Sequence, residues 1–146
     1  MERRKWRMIA RITLAIIFFP LLSSAFGQED ISKAVHQTIL KNLKANQAED
    51  LPAMMKTFHH QSPFYQLTKE KTLAIFKAYK LDYRLLSYKY IGRDGKYAFA
   101  RTRYRTRKIS GPTFQNKEMD TLQILRQEKG EWKLWSQAIL EIHYLK

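Results

Sequence analysis

The sequence predicts an α+β domain in which three helices precede a four-stranded antiparallel sheet. Apolar residues recur every three or four positions as far as about Lys80, which is the period of a helix. Beyond that point they alternate with a period of two, which is the period of a strand. The later segments are long and separated by short glycine-containing turns, a pattern typical of a meander of consecutive hairpins.

The first 27 residues are predicted to be a signal peptide rather than part of the domain. Residues 1–7 are mostly basic, residues 8–22 are almost wholly apolar, and residues 23–27 are mostly small. Basic, apolar and small-residue regions in this order are typical of a secretory signal, and cleavage after Ala25 or after Gly27 fits the small-residue rule.

The alternative to cleavage is a retained membrane anchor. The uncharged run over residues 12–22 has 11 residues and contains Pro20, which is short of the roughly 20 residues needed to cross a bilayer. We therefore expect an exported protein, periplasmic or secreted, with a single domain over residues 28–146 and no transmembrane span after cleavage.

Charge and cysteine content restrict the partners. The 146 residues include 27 Lys and Arg, 13 Asp and Glu, and no Cys, which excludes a disulfide framework and a thiolate nucleophile. The net charge is +14, and removal of residues 1–27 leaves +10, of which +8 lies in residues 84–108. Because the charge is concentrated in one segment of an exported chain, nucleic acid is not the expected partner.

The helices are predicted from apolar stripes and capping residues. The first spans Ile31–Ala45, the second begins at the N-cap Asp50, and the third starts at the cap Thr68 and runs to about Tyr79. Leu73, Phe76 and Tyr79 are expected to point inward. The predicted strands are Tyr83–Ile91, Tyr97–Ile109, Phe114–Glu128 and Trp132–Leu145.

The turn positions predict the strand register, and the register sorts side chains onto two unlike faces. One face carries no charge, whereas the other carries most of the charges. The predicted cross-strand pairs are Arg103 with Asp120, Arg105 with Glu118, Leu125 with Leu134, Gln123 with Ser136, Tyr88 with Ala100 and Tyr90 with Ala98.

The uncharged face is expected to pack against the helices. Its polar members could orient a ligand in a partly apolar pocket, or they could bond to one another in a filled core. The pocket candidates are Tyr88, Tyr90, Thr102, Tyr104, Thr121, Gln123 and Ser136.

The charged face carries a basic patch along one strand, formed by Arg101, Arg103, Arg105 and Arg107. Guanidinium groups at this spacing could contact carboxylates or phosphates. A solvated face, partly neutralised across the hairpin by Glu118 and Asp120, is the other interpretation.

The segment Leu122–Trp135, in which a strand ends in a polar glycine turn and restarts with Trp-Lys-Leu, carries a family resemblance. Together with the order of helices and strands, it resembles the nuclear transport factor 2-like superfamily, which includes ketosteroid isomerases and SnoaL-like cyclases. The resemblance implies a cone, with a bent sheet around the first helix, and pairing through the outer sheet face. A homodimer is therefore expected through Phe99, Leu122, Ile124, Trp135 and Ile139.

Enzymes of that superfamily resemble one another in placing an Asp, Glu or His in the cavity. The uncharged face of this chain supplies tyrosines but neither an acid nor an imidazole, so no catalytic residue is assigned. The remaining candidates, Asp50, His59, His60 and Asp82, lie near helix ends. Adjacent histidines such as His59 and His60 cannot share one helix face, so no metal site is expected, and no cofactor.

The resulting hypothesis is an exported, non-catalytic accessory domain that binds a small apolar or anionic ligand or assembles as a dimer. One alternative is an isomerase, cyclase or dehydratase that uses His59, His60 or Asp50 at the cavity mouth. The other is a module that binds an anionic surface through the strand Arg101–Arg107.

Overall fold

The computed structural model describes residues 23–146. Nearly all of the predicted signal peptide, residues 1–27, lies outside the described residues, so that assignment stays a prediction. Within residues 23–146, no helix combines the length and the apolar character that a membrane crossing requires.

Three helices are followed by one four-stranded antiparallel sheet in the order β1-β2-β3-β4, as predicted. Helices and strands have the following bounds: α1 Ser23–Gln47, α2 Leu51–Met55, α3 Tyr65–Ala78, β1 Lys80–Asp94, β2 Tyr97–Ser110, β3 Lys117–Glu128 and β4 Glu131–Tyr144.

The second and third helices begin differently, because only α2 has a side-chain cap at its N-terminus. Asp50 caps α2 as predicted, because its carboxylate accepts a hydrogen bond of 2.9 Å from the Ala53 N–H. The prediction that α3 starts at Thr68 is wrong by three residues. The Ser62 hydroxyl accepts the Phe64 N–H at 3.1 Å, so the chain is already turned for a helix that begins at Tyr65.

The core forms where α1 crosses the sheet. Val35 and Ile39 of α1 are 0% and 1% exposed, and they pack against Ala98, Ala100 and Leu125, all fully buried. The two alanines of β2 allow the helix to come close to the sheet. This packing fills the centre of the uncharged sheet face that the helices cover, which we call the concave face.

The register between β2 and β3 is the predicted one. Arg103 lies opposite Asp120, and Arg105 lies opposite Glu118. Leu125 also lies opposite Leu134, as predicted for the third hairpin.

Further along β4 the predicted register is wrong, because a bulge at Trp135 adds one residue to the strand. Gln123 lies opposite Gln137, whereas Ser136 lies opposite Ile124. The insertion exchanges the two faces of β4, so Ser136 is on the outer face and Ile139 is on the concave face, the reverse of the prediction.

The predicted register of the first hairpin is also wrong, by two residues. The turn is tighter than predicted, with Asp94 opposite Tyr97, and a register shift follows at Ile91. Together they place Tyr88 opposite Thr102 and Tyr90 opposite Ala100, two residues from the predicted partners. Because the slip is an even number of residues, both tyrosines stay on the predicted face.

The loop between α2 and α3 is attached to the exposed edge of β4. The His59 N–H donates to the Leu134 carbonyl at 2.9 Å, and the Leu134 N–H donates to the Thr57 carbonyl at 2.8 Å. The Ser62 hydroxyl donates to the Trp135 carbonyl at 2.6 Å. These bonds satisfy backbone groups that an edge strand otherwise exposes.

The inward face of α3 differs by one residue from the prediction. Thr72 is the buried position, and Leu73 is 40% exposed. Phe76 and Tyr79 are half-buried, as expected for inward positions.

Candidate functional site

The polar residues of the concave face bond to one another. The hydroxyls of Thr102 and Thr121 lie 2.7 Å apart, and the Gln123 amide donates to them at 3.3 Å and 3.0 Å. All three side chains are buried. Three predicted pocket residues therefore form a hydrogen-bonded core, which was the second of the two interpretations.

The three tyrosines of the concave face have different environments. The Tyr88 hydroxyl donates to the Ser32 carbonyl at 2.8 Å, and its ring stacks on His36 with centroids 4.2 Å apart. The Tyr90 hydroxyl is buried without a hydrogen-bond partner in the described residues. Burial raises the pKa of Tyr104 to about 12, so this phenol stays neutral at physiological pH.

A cavity of about 630 Å³ lies away from the predicted pocket, between α1, α2 and the β3–β4 turn. Small and aromatic side chains form its apolar wall, and lysines surround them. We call it the lysine groove and define it by Ala34, Lys41, Lys44, Ala45, Ala48, Asp50, Ala53, Lys56, Trp132 and Lys133.

The lysine groove is positively charged. Lys41, Lys44 and Lys56 have no ion-pair partner within the described residues, whereas Lys133 is paired with Glu131. The Asp50 carboxylate is engaged in capping α2. A volume of this size, with apolar walls and a few charged groups, is typical of small-molecule sites.

Sequence reasoning missed this groove. The available signal was a stripe along α1 that combines small alanines with a lysine at helical spacing, namely Ala34, Lys41, Ala45 and Ala48. The second wall comes from the β3–β4 turn, far away in sequence, and no local pattern links it to α1.

The basic patch is largely paired within the sheet. Arg103 and Arg105 both bond to the Glu118 carboxylate, at 2.9 Å and 2.7 Å, and Arg101 bonds to Asp120 at 3.0 Å. Hydrogen bonds from Arg105 and Arg103 lower the pKa of Glu118 despite partial burial. Among the four arginines, Arg107 alone lacks an ion-pair partner in the part of the chain that the structure describes.

Two adjacent histidines meet a glutamate where the α2–α3 loop contacts the end of β3. His59 and His60 stack with ring centroids 5.3 Å apart, and His60 Nδ1 contacts Glu128 Oε1. Neither histidine is in a helix, so the spacing argument against a shared site does not apply. Sequence could not show this cluster, because Glu128 is distant in the chain.

Burial and neighbouring charges shift the pKa values of His59 and Glu128. Burial lowers the pKa of His59, the Glu128 carboxylate opposes this shift, and the Arg126 guanidinium reinforces it. Burial raises the pKa of Glu128, but hydrogen bonds from His60 outweigh it, and the net shift is downward.

The candidate catalytic residues do not form one site. Asp50 lies in the lysine groove, whereas His59 packs edge-on against Trp135 with centroids 5.1 Å apart. Asp82 pairs with Arg84 at 3.0 Å, and His143 pairs with Glu141 at 3.2 Å. Within the described residues, the one imidazole or carboxylate seen in contact with these tyrosines is the His36 ring, which stacks on Tyr88.

Residues 37–145 match the family model described as the C-terminal domain of anti-sigma-I factor RsgI9. Among curated proteins, none matches the sequence.

Solved structures share the fold at low sequence identity. A candidate aromatic ring hydroxylase from Novosphingobium aromaticivorans is 12% identical, with a TM-score of 0.65 over 78% of this chain and 92% of that chain. A candidate dehydratase of the nuclear transport factor 2-like family from Streptomyces avermitilis is 13% identical, with a TM-score of 0.63 over 75% and 94%. A ketosteroid isomerase-like protein from Erwinia carotovora atroseptica is 15% identical, with a TM-score of 0.56 over 75% and 95%. These likenesses confirm the predicted nuclear transport factor 2-like fold.

Proposed function

We propose that this chain, which belongs to the family described as the C-terminal domain of anti-sigma-I factor RsgI9, is a non-catalytic domain that binds a small, partly apolar anion in the lysine groove. Folds of this type often bind small ligands or form oligomers. The observation that carries the proposal is the groove itself, about 630 Å³ in volume, with an apolar wall and a cationic rim.

The charge of the groove favours an anion with an apolar body. Trp132 and four alanines offer apolar contact, which contributes about 25 cal/mol per Å² of apolar surface removed from water. Lys41 and Lys44 offer ammonium groups with no partner in the described residues. Each exposed charge contact is worth about 0.2–1 kcal/mol, so orientation comes from the lysines and most of the affinity from the wall.

The non-catalytic part of the proposal is supported by the concave face. Its central polar groups, Thr102, Thr121 and Gln123, are already bonded to one another. A general base must reach the substrate with a suitable pKa. Asp50 lies in the groove, but its carboxylate caps α2, and His59 is not among the residues that line the groove.

A fluorescent probe tests the groove. We expect 8-anilinonaphthalene-1-sulfonate to bind the protein more tightly than its neutral analogue N-phenyl-1-naphthylamine. Lys41→Gln and Lys44→Gln should each weaken sulfonate binding about 1.4- to fivefold, the range expected for one exposed charge contact of about 0.2–1 kcal/mol. Ala53→Trp should block both probes, because it fills the groove.

Lys69→Gln, an exposed lysine of α3, is the matched control and should leave binding unchanged. Equal affinity for the two probes, with no effect of the groove lysines, would contradict the proposal.

We also propose that the domain forms a homodimer through residues 136–144, the C-terminal part of β4. This edge strand exposes large apolar side chains, with Ile139 at 55%, Leu140 at 53% and Tyr144 at 57%. An exposed apolar edge strand is prone to pair with another strand. The predicted interface loses Ile139 to the concave face, and Phe99, Leu122, Ile124 and Trp135 remain on the outer face, half-buried.

Sedimentation equilibrium distinguishes the two surfaces. We expect a dimer that Leu140→Glu dissociates, whereas Leu67→Glu on the exposed face of α3 leaves it intact. Loss of the dimer with Leu122→Glu instead would assign the interface to the outer face, and a monomeric parent protein would refute dimerisation.

Export is the remaining part of the proposal, and it is supported only by the layout of residues 1–27. Mass spectrometry of the protein recovered from its native cells should find an N-terminus at Phe26 or Gln28. An intact Met1 in the mature protein would refute cleavage.

A further inference from the structure

Three possible metal ligands converge beside the edge of β4. His59, His60 and Glu128 each offer one ligand atom, and the three atoms lie within 4.8 Å of one another. His59 Nδ1 is 3.4 Å from Glu128 Oε1, close to the roughly 3.3 Å that separates two ligands of a tetrahedral metal with bonds of about 2.0–2.1 Å. His60 Nδ1 contacts the same carboxylate oxygen.

We propose that His59, His60 and Glu128 form a binding site for one Zn²⁺ ion. Two imidazole nitrogens with one carboxylate suit a borderline transition metal, whereas Mg²⁺ and Ca²⁺ prefer sets of oxygen ligands. The His60 side chain is 64% exposed, so water can reach the ion as its fourth ligand. The site is separate from the lysine groove and does not depend on the proposed ligand.

The backbone holds the ligands in place. The His59 N–H is bonded to the Leu134 carbonyl at 2.9 Å, which fixes the loop on β4. The His60 N–H donates to Glu128 Oε1 at 3.0 Å, which ties the carboxylate to the same loop. Such supporting bonds reduce the ordering that metal binding requires.

The His59 ring already presents a lone pair at Nδ1. This atom accepts a hydrogen bond of 3.1 Å from the Gln61 N–H. Because Nδ1 is an acceptor, the proton of the neutral ring is on Nε2. Zn²⁺ would replace the Gln61 N–H at Nδ1.

Calorimetric titration of the untagged full-length chain with Zn²⁺ tests the site. We expect one ion per chain, with affinity at least tenfold weaker in His60→Ala and in Glu128→Gln, and no binding of Mg²⁺. Both variants change side chains that the solvent reaches, and far-UV circular dichroism verifies that they fold. His143→Ala is the matched control, because it removes a histidine paired with a glutamate at another place.

A second measurement locates the ion without any variant. In ¹H–¹⁵N spectra, the amides of His60 and Gln61 should shift more on Zn²⁺ addition than that of His143, because each is bonded to a proposed ligand atom. Absence of Zn²⁺ binding would overturn the site. So would binding that survives both His60→Ala and Glu128→Gln, or binding that His143→Ala abolishes.

Discussion

Replacing Thr102 with valine tests whether the concave face is a filled core or a pocket. Valine has nearly the same shape, so it removes the hydroxyl without opening a cavity. The lost bonds are those to Thr121 at 2.7 Å and to Gln123 at 3.3 Å. At about 0.5–1.5 kcal/mol for each buried hydrogen bond, with the second one long, Thr102→Val should reduce the free energy of unfolding by about 1–2 kcal/mol. For a domain of this size, Tm should fall by roughly 4–8 °C.

Further substitutions make the prediction sharper. Adding Thr121→Val leaves the buried Gln123 amide without either partner in this cluster, at a further cost of about 1–3 kcal/mol. Adding Gln123→Leu as well should recover most of that loss, because the unpaired amide is then gone. Urea unfolding of the four proteins measures these differences.

The filled-core interpretation has a clear contrary result. If Thr102→Val leaves stability within about 0.3 kcal/mol of the parent, the hydroxyl makes no net bond of the expected size. If the same variant also weakens probe binding, the concave face is a pocket and the lysine groove is not the site.

Three further predictions concern stability. Ile39→Ala should cost about 3 kcal/mol, because it opens a cavity in the fully buried core under α1. Gly111→Ala should cost about 2 kcal/mol or more, because φ is +116° and a Cβ would lie 2.5 Å from a carbonyl at the end of α3. In the control Gly95→Ala the added Cβ meets no atom within 4 Å, so the cost should be smaller. Thermal melts measure both. The lowered pKa of Glu118 means that its ion pairs stabilise the fold above its usual pKa of about 4.3 and are lost as pH falls through the lowered value. Glu118→Gln should therefore narrow the stability difference between pH 7 and pH 3, and the exposed Glu70→Gln should not.

The fold was predictable because several independent signals agreed. The change of hydrophobic period marked the boundary between helices and sheet, and alternation placed Arg103 and Arg105 opposite Asp120 and Glu118. Any single slip there would have mixed charged and uncharged side chains on one face.

The errors in β4 have a different origin. The bulge at Trp135 is held by the Ser62 hydroxyl and the backbone of the α2–α3 loop, so it depends on a contact between distant parts of the chain. No local pattern near Trp135 indicates it, and every side-chain direction from Ser136 to Ile139 depends on it.

The candidate sites could not be predicted from the sequence for the same reason. The lysine groove requires α1 and the β3–β4 turn to meet, and Glu128 approaches His60 only through the fold. Sequence showed the residue types but not the pairs. The adjacent histidines were judged by helical geometry, whereas the structure places them in a loop.

The attachment of the α2–α3 loop also divides β4 into two parts that should differ in their rates of amide hydrogen exchange. Residues 132–135 are bordered by β3 on one side and by the loop on the other, whereas residues 136–144 are bordered by β3 alone. In a protomer without the proposed partner, amide hydrogen exchange should therefore be slow at Leu134, near the limit of global unfolding, and much faster towards Tyr144. One end of this strand should therefore exchange with the slowest part of the domain, and the other should fray unless the proposed dimer covers it.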